Sequence, residues 1–411
     1  MLEISKCEVC GNKNLESVLD LGEHPMCDDL VNVGEDRQCV NYPIEIMFCN
    51  ICQTAHQRFQ VPKAKLFPSN YHYRSRFTAD VLSGMVNLVD ECEQRFGELK
   101  KKVVLDIGCN DGSLLNFFRD KGGITVGVEP TDACLDAIEQ GHCAYNQYLS
   151  EKLSEEILLK HGFPSIIVFT NVFAHIENLA EVISSLKKLV GPETTIVIEN
   201  HYLGSVLKGK QFDTFYHEHP RTYSYSSFVY IAKLLGMELV DVDFPARYGG
   251  NIRVYFSVVS GQKPAVSPAC IEVKEQEKHF FSSFTLLSSN IENWRQKKRN
   301  EIVDLVGKFG KLKAKAFPGR AAILVKLLEL DDNHISAVYE KPGSMKIGTY
   351  LPGTRIPILS DNELFDRLES STPVLNLAWH ISAEIREYLL EHGYSGQVID
   401  ILSEEDFQVL D

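Results

Sequence analysis

Apolar and polar positions follow two rhythms along this chain. From Lys102 onward, short and nearly unbroken apolar runs give way to stretches in which apolar residues recur every three or four positions. That succession predicts strands alternating with helices around a parallel sheet. The expected strands are the runs Val103 to Ile107, Thr125 to Val128, Ile166 to Thr170, Thr195 to Glu199 and Arg253 to Val259. Upstream, Val81, Met85, Leu88, Val89 and Cys92 share one face of a helix expected between Phe77 and Leu99, and Lys100-Lys101-Lys102 closes that face as a solvated end. A second long helical pattern, from Phe280 to Leu312 with Trp294 on it, connects the middle of the chain to its C-terminal part. Before Phe77 neither rhythm holds. Leu21-Gly22-Glu23-His24-Pro25 reads as a turn, and Phe67-Pro68-Ser69-Asn70 opens another irregular stretch.

A chain of 411 residues is long enough for about two or three domains. Three units are expected: an N-terminal module over 1–70, a doubly wound α/β domain over 71–285 and a C-terminal α/β domain over 286–411. The net charge of −14 disfavours a general nucleic-acid or anionic-membrane partner, because both reward a positive face. Any anionic substrate must meet local cations. The start, Met1-Leu2-Glu3-Ile4-Ser5-Lys6, lacks a basic region before an apolar stretch, and no apolar run approaches the roughly 18 residues of a membrane helix. A cytoplasmic protein is expected, its oligomeric state open and a monomer included.

Eleven cysteines in a reducing compartment point to metal binding or burial before disulfides. Cys7-Glu8-Val9-Cys10 and Cys49-Asn50-Ile51-Cys52 are paired knuckles that present four thiolates to one tetrahedral Zn²⁺. An all-sulfur set leaves no position for water or substrate, so the expected zinc is structural. The other cysteines are expected to pack.

After the first expected strand, Gly108 and Gly112 permit close backbone approach, and Asp111 sits near the start of a helix bearing Leu114, Leu115 and Phe117. Glu129 ends the second strand, about twenty positions on, where one carboxylate can accept from both hydroxyls of a ribose. Asn110 stands where the dinucleotide fingerprint needs glycine, which favours a mononucleoside over NAD. After the Ile166 to Thr170 strand, Asn171-Val172-Phe173-Ala174-His175 marks a carboxyl end of the sheet, where open α/β folds bind ligands. His175 either caps a helix or faces such a ligand. Tyr216-His217-Glu218-His219 packs a phenol, two imidazoles and a carboxylate into four residues amid Phe215, Tyr223, Tyr225 and Phe228. In a partly dry cleft such a set can be tuned for proton transfer.

Asp106-x-Gly108 with Asp111-Gly112 resembles the first motif of class I S-adenosylmethionine-dependent methyltransferases. With the paired knuckles, Leu21-Gly22-Glu23-x-Pro25, Tyr71-x-Tyr73-x-Ser75, Tyr216-His217-Glu218-His219, Gly249-Gly250-x-x-Arg253, Lys346-x-Gly348-x-Tyr350-x-Pro352-Gly353 and Asn376-Leu377-Ala378-Trp379-His380, the whole chain resembles nucleotide-sugar C-methyltransferases. The resemblance implies an α/β architecture of three units: a zinc module, a class I methyltransferase Rossmann-like sheet and a second Rossmann-like domain. It implies S-adenosylmethionine held by Asp106, Gly108, Asn110, Asp111, Gly112, Glu129 and Asn171. The implied reaction is methylation of C3′ of a dTDP- or GDP-linked 4-keto-6-deoxy sugar through an enolate. His219 is the implied base, Glu218 orients it or shapes the sugar pocket, Tyr216 donates to the enolate oxygen, and His175 shares the task. Tyr71 or Tyr73 faces the substrate, while Asn251, Arg253, Lys346 and Arg355 are implied substrate ligands. The alternatives are a sugar O-methyltransferase and a non-catalytic protein that binds the cofactor or a nucleotide sugar. The chain departs from the family at Pro220-Arg221-Thr222-Tyr223, at Tyr248-Gly249-Gly250-Asn251 and at Ala316-Phe317-Pro318-Gly319-Arg320, which points to altered sugar, nucleotide or diphosphate contacts.

Overall fold

In the computed structural model, which describes residues 1–67, 74–77, 79–258, 268–366 and 371–407, the apolar runs become the interior of a seven-stranded sheet. In chain order its strands are β1 (Val103–Ile107), β2 (Ile124–Val128), β3 (Cys143–Tyr145), β4 (Ile166–Thr170), β5 (Thr195–His201), β6 (Glu238–Asp243) and β7 (Asn251–Ser257). The spatial order is β3-β2-β1-β4-β5-β7-β6, parallel through β5, with β7 antiparallel to both neighbours. Helices cover both faces, which is why Val104, Leu105, Ile167 and Val168 on adjacent strands are all fully buried. On one face the helix Ala79–Phe96 lies over the sheet through Val81, Met85, Leu88, Val89 and Cys92.

Two strands run past their expected polar ends. β5 continues through Asn200 and His201, and β7 starts at Asn251, because Asn200 pairs with Ile252 and His201 with Asn251 across the antiparallel ladder. Ladder hydrogen bonds, not side-chain polarity, set those ends. The expected strand over 253–259 therefore shifts to Asn251–Ser257.

The N-terminal sheet holds Glu16–Pro25, Asn41–Cys49 and Thr54–Gln57, and its fourth strand, Arg221–Thr222, comes from the central part of the chain. Leu21 to Pro25 is not a turn. It continues the first strand, and Gly22, at φ +77°, sits where the register shifts, so the glycine makes a bulge. The C-terminal sheet is all parallel. Its strands are β8 (Leu312–Lys315), β9 (Ile335–Glu340), β10 (Ile358–Ser360), β11 (Val374–Asn376) and β12 (Val398–Asp400), in the order β10-β9-β8-β11-β12.

The helix expected over 280–312 is Phe280–Phe309, and it touches all three sheets' cores, not the last two alone. Phe284 lies between Phe48 and Phe215, with ring centroids 5.5 and 5.9 Å away; ten residues on, Trp294 packs on Phe212 and donates its Nε1–H to the carbonyl of Ile401. The Lys346 to Gly353 motif is a second seam. Thr349–Tyr350 pairs with Val31–Asn32, and Gly353 packs against Pro25 so closely that a Cβ there would sit 3.0 Å from the proline ring.

Arg221 explains one departure from the family pattern. Fully buried, it donates to Glu8, the residue inside the first cysteine knuckle, at 2.5 Å, and its Nε–H reaches the Tyr223 hydroxyl. The Pro220–Tyr223 segment thus joins two modules, and among the described residues it lines no cavity at the sheet edge. Burial alone would raise the Glu8 carboxyl, but His56 and the Arg221 guanidinium pull it down to about 2. Arg221→Met, which strands a half-buried carboxylate, should cost about 3 kcal/mol of stability. Thermal unfolding of the variant beside Glu8→Gln/Arg221→Met measures it: the double variant should recover most of the loss.

Candidate active site and zinc centre

The four knuckle sulfurs lie within 4.8 Å of one another, with Cys7 Sγ 3.4 Å from Cys52 and Cys10 Sγ 3.5 Å from Cys49. Zinc–sulfur bonds of about 2.3 Å place tetrahedral sulfurs about 3.8 Å apart, so the set fits one Zn²⁺. The knuckles are built alike. In each, the backbone N–H four residues past the first cysteine, of Gly11 or Gln53, donates to that cysteine's carbonyl, and both residues take positive φ. Cys7, Cys49 and Cys52 are buried and belong to the core shared with Phe48, which makes the closed site a structural one.

At the carboxyl ends of β1, β2, β4 and β5 a cavity of about 550 Å³ opens, and all three modules contribute walls. The turn after β1 brings Gly108 and Asn110 to it. A Cβ on Gly108 would meet Val172 at 2.4 Å, so only glycine lets the turn approach the loop after β4. Asp106, the last polar residue of β1, lines the cavity with only 2% of its surface exposed and accepts no hydrogen bond from a described residue. Burial and then Glu129 push its carboxyl up to about 8. Glu129 is held in place by Thr131, whose N–H and hydroxyl donate to Oε1, and by the Asn110 N–H, which donates to Oε2 and leaves that oxygen a further acceptor position. Asn171 lines the opposite wall.

Asp111 and Gly112 do not reach the cavity. Asp111 accepts from the Ser113 N–H and hydroxyl and from the Arg76 N–H, so it caps a helix and pins an incoming segment; Gly112 makes room for Ala137 and His142 behind it. The chain turns away from Gly108 through the left-handed residue Asn110.

The acid–base cluster stands across from the glycine turn. His219 lies 4.3 Å from the Tyr216 ring, 4.8 Å from His175 and 5.6 Å from His201, centroid to centroid, and all four line the cavity. His219 Nδ1 sits 3.0 Å from the carbonyl of Thr214. A carbonyl only accepts, so Nδ1 carries the proton, the neutral ring's lone pair is on Nε2, and Nε2 bonds to no described residue. Burial, then His175 and His201, depress this imidazole well below 6.5. His175 Nδ1 makes the matching contact, 2.8 Å, to the carbonyl of Glu218, and burial lowers that ring to about 4. Burial also raises the Tyr216 phenol well above 10 and keeps it a donor. The Glu218 carboxyl lines the cavity near Asp28 and Lys346; it does not orient His219, a task that falls to Thr214. Burial, reinforced by Asp28 and opposed by Lys346, raises it well above the usual range and favours its neutral form.

Other expected ligands move. Lys346 lines the cavity and donates to the carbonyl of Phe317. Arg355 faces away, donating to the carbonyls of Glu35 and Asp36, so it fastens an N-terminal loop. Asn251 and Arg253 lie beneath the cavity on β7, both bound to Glu199. Tyr71 and Tyr73 lie outside the described residues. The structure adds Cys27, expected only to pack, together with His201 and His380, and it brings in Arg320 from the departure at 316–320. Strand register brings His201 there, and Arg320 arrives from a distant module by pairing with Asp213 at 3.3 Å, next to the Thr214 carbonyl that holds His219. The departure at residues 316–320 thus becomes a contact to the loop that carries His219. Only long-range packing could reveal these members.

Comparison with known proteins agrees with this geometry. Residues 7–67 match the model of a putative zinc binding domain, residues 76–242 that of a methyltransferase domain, and residues 246–399 that of a C-methyltransferase C-terminal domain. The chain is 27% identical over 405 residues to the C-methyltransferase NovU of Streptomyces niveus, covering 95% of this chain and 94% of that protein. Among solved structures, the PH0226 protein of Pyrococcus horikoshii OT3 aligns over 47% of this chain and 97% of its own at 13% identity and a TM-score of 0.35. Magnesium protoporphyrin IX methyltransferase of Synechocystis PCC 6803 with bound SAM aligns over 43% and 79% at 14% identity and a TM-score of 0.33. Scores this low carry no inference about this chain.

Fold and site together define a class I S-adenosylmethionine-dependent methyltransferase with a closed zinc module. The three matched units, in this order, and the similarity to a C-methyltransferase support an S-adenosylmethionine-dependent C-methyltransferase.

The residues present fit the cofactor. Asp106 offers a buried, unpartnered carboxyl to an ammonium, Glu129 Oε2 accepts from a ribose hydroxyl, and Leu149 and Val182 give apolar walls. An ammonium beside Asp106 favours its ionised form, so cofactor binding at pH 7 should release up to about one proton. Calorimetry in buffers of different ionisation enthalpy reads that release, and Asp106→Asn should abolish it. Cys49→Ser should lower both the zinc content found by metal analysis and the melting temperature.

Proposed function

We propose that this C-methyltransferase methylates C3′ of a 4-keto-6-deoxy sugar carried on a nucleoside diphosphate, dTDP or GDP, with His219 as base. Carbon methylation needs a carbon nucleophile, and the hydrogen beside a ketone is the one a side chain can remove. The observation that carries the reading is the fixed tautomer of His219: its free lone pair is on Nε2, in a cavity shared by the Gly108 turn and three cationic side chains, Lys63, Arg320 and Lys346. Those cations suit a diphosphate.

S-adenosylmethionine, when bound, supplies an electrophilic methyl on a sulfonium. His219 Nε2 takes the proton from C3′, and the negative charge that develops nearby raises the ring's affinity for that proton. Tyr216 donates to the oxygen that becomes the enolate oxygen. Glu218, in its neutral form, donates to a sugar oxygen, and His175 holds the imidazole cluster together. The zinc takes no part. Two Rossmann-like sheets face this volume: the loops after β8 and β11, between which the C-terminal strand order reverses, bring Arg320 and His380.

His219→Asn should lower kcat by about 100- to 10,000-fold with cofactor affinity retained. Without cofactor, the wild type should exchange solvent deuterium into C3′ of its keto substrate. Absence of both exchange and C-methyl product across a panel of dTDP- and GDP-4-keto-6-deoxy sugars would overturn the reading, and a methyl ether product would favour O-methylation. Because burial lowers the His219 pKa, the neutral base persists below pH 6.5. The acid limb of kcat/KM should therefore fall below 6.5, where an exposed histidine would place it.

A further inference from the structure

Asn251 and Arg253 lie under the cavity floor, yet they meet its wall through one residue. Glu199, fully buried on β5, accepts from Arg253 Nε at 2.7 Å and stands 3.7 Å from the Arg247 guanidinium. Asn251 Nδ2 donates to Glu199 Oε1 at 3.0 Å and to Asn171 Oδ1 at 3.3 Å. A carboxylate flanked by guanidiniums is acceptor only. The Asn251 amide must then turn its NH₂ toward Glu199, since the opposite setting would put oxygen against oxygen. Its Oδ1 is buried without a partner, so the contacts of Nδ2 alone fix it. The same NH₂ faces Asn171, which must answer with its oxygen. That leaves the Asn171 Nδ2, bonded to no described residue, as the group this half-buried side chain turns to the cavity.

Asn171 also sits at a telling place. It follows β4, whose Val168 pairs with Asp106, and the next residue, Val172, is the one packed against the Gly108 turn. The carboxyl suited to the cofactor's ammonium and this amide donor therefore flank one turn from two sides. The methionine end of S-adenosylmethionine carries an ammonium and a carboxylate on the same carbon.

We propose that Asn171 binds the methionine carboxylate of S-adenosylmethionine through Nδ2, and that Asn251, held by the Glu199–Arg253 pair, is a positioning residue that sets the polarity of that amide. The inference rests on the cofactor alone and stands apart from the identity of the sugar.

Calorimetric affinity for two probes, S-adenosylmethionine and its decarboxylated analogue, tests it. Asn171→Ala should weaken the first by roughly 10- to 100-fold, the range of a hydrogen bond to a charged group, and leave the second unchanged. Asn251→Ala should weaken the first several-fold in the wild-type background and not at all in Asn171→Ala. Asn171→Asp, which replaces the donor by an acceptor, should cost more than Asn171→Ala and serves as a second test if Asn251→Ala does not fold. Equal loss for both probes, unchanged affinity in the Asn171 variants, or the same Asn251→Ala effect in both backgrounds would overturn the proposal.

Discussion

Removal of water from one imidazole organises this molecule. His219 titrates low because a phenol, two other imidazoles and protein backbone surround it, and the cavity wall opposite needs residues from each end of the chain. No single module encloses that ring. The central sheet supplies the carboxyl ends of its strands, the N-terminal module brings Cys27, Asp28 and Phe67, and the C-terminal module brings Arg320, Lys346 and His380. The seams between modules are part of the site for this reason, and they are built from strong or buried contacts: Arg221 on Glu8, Arg320 on Asp213, Phe284 between Phe48 and Phe215.

The zinc takes on a clearer purpose in that setting. The residue inside the first knuckle anchors Arg221, two positions past His219. A closed metal site fixes a small sheet that lacks a large core of its own, and that sheet takes Arg221–Thr222, just past His219, as one of its strands. Loss of the metal would reach the active site through geometry, without any ligand exchange.

Backbone carbonyls, not carboxylates, set the tautomers of the two imidazoles best placed for proton transfer. Thr214 and Glu218 each present a carbonyl to an Nδ1. A carboxylate in that position would raise the ring's proton affinity, whereas a carbonyl orients it with less effect on charge. The same economy appears below the floor, where one ion pair fixes the direction of two amides.

Much of this was legible in the chain. Continuous apolar runs located β1, β2, β4 and the start of β5, since a strand buried on both faces has no polar rhythm to hide in, and Cys-x-x-Cys spacing located the metal, since two thiolates per turn is a local property. Asp106, Gly108, Asn110, Glu129, His175 and His219, each singled out from such a local motif, all line the cavity. Asp111, Gly112, Asn251, Arg253 and Arg355, expected among the ligands, lie outside the cavity lining, while His201 and Cys27, not singled out for the site, belong to it. Direction decided those cases. Sequence states which groups a segment owns, while the side of a strand on which a residue emerges, and which distant loop lies against it, follow only from ladder register and from the packing of three modules around a shared volume.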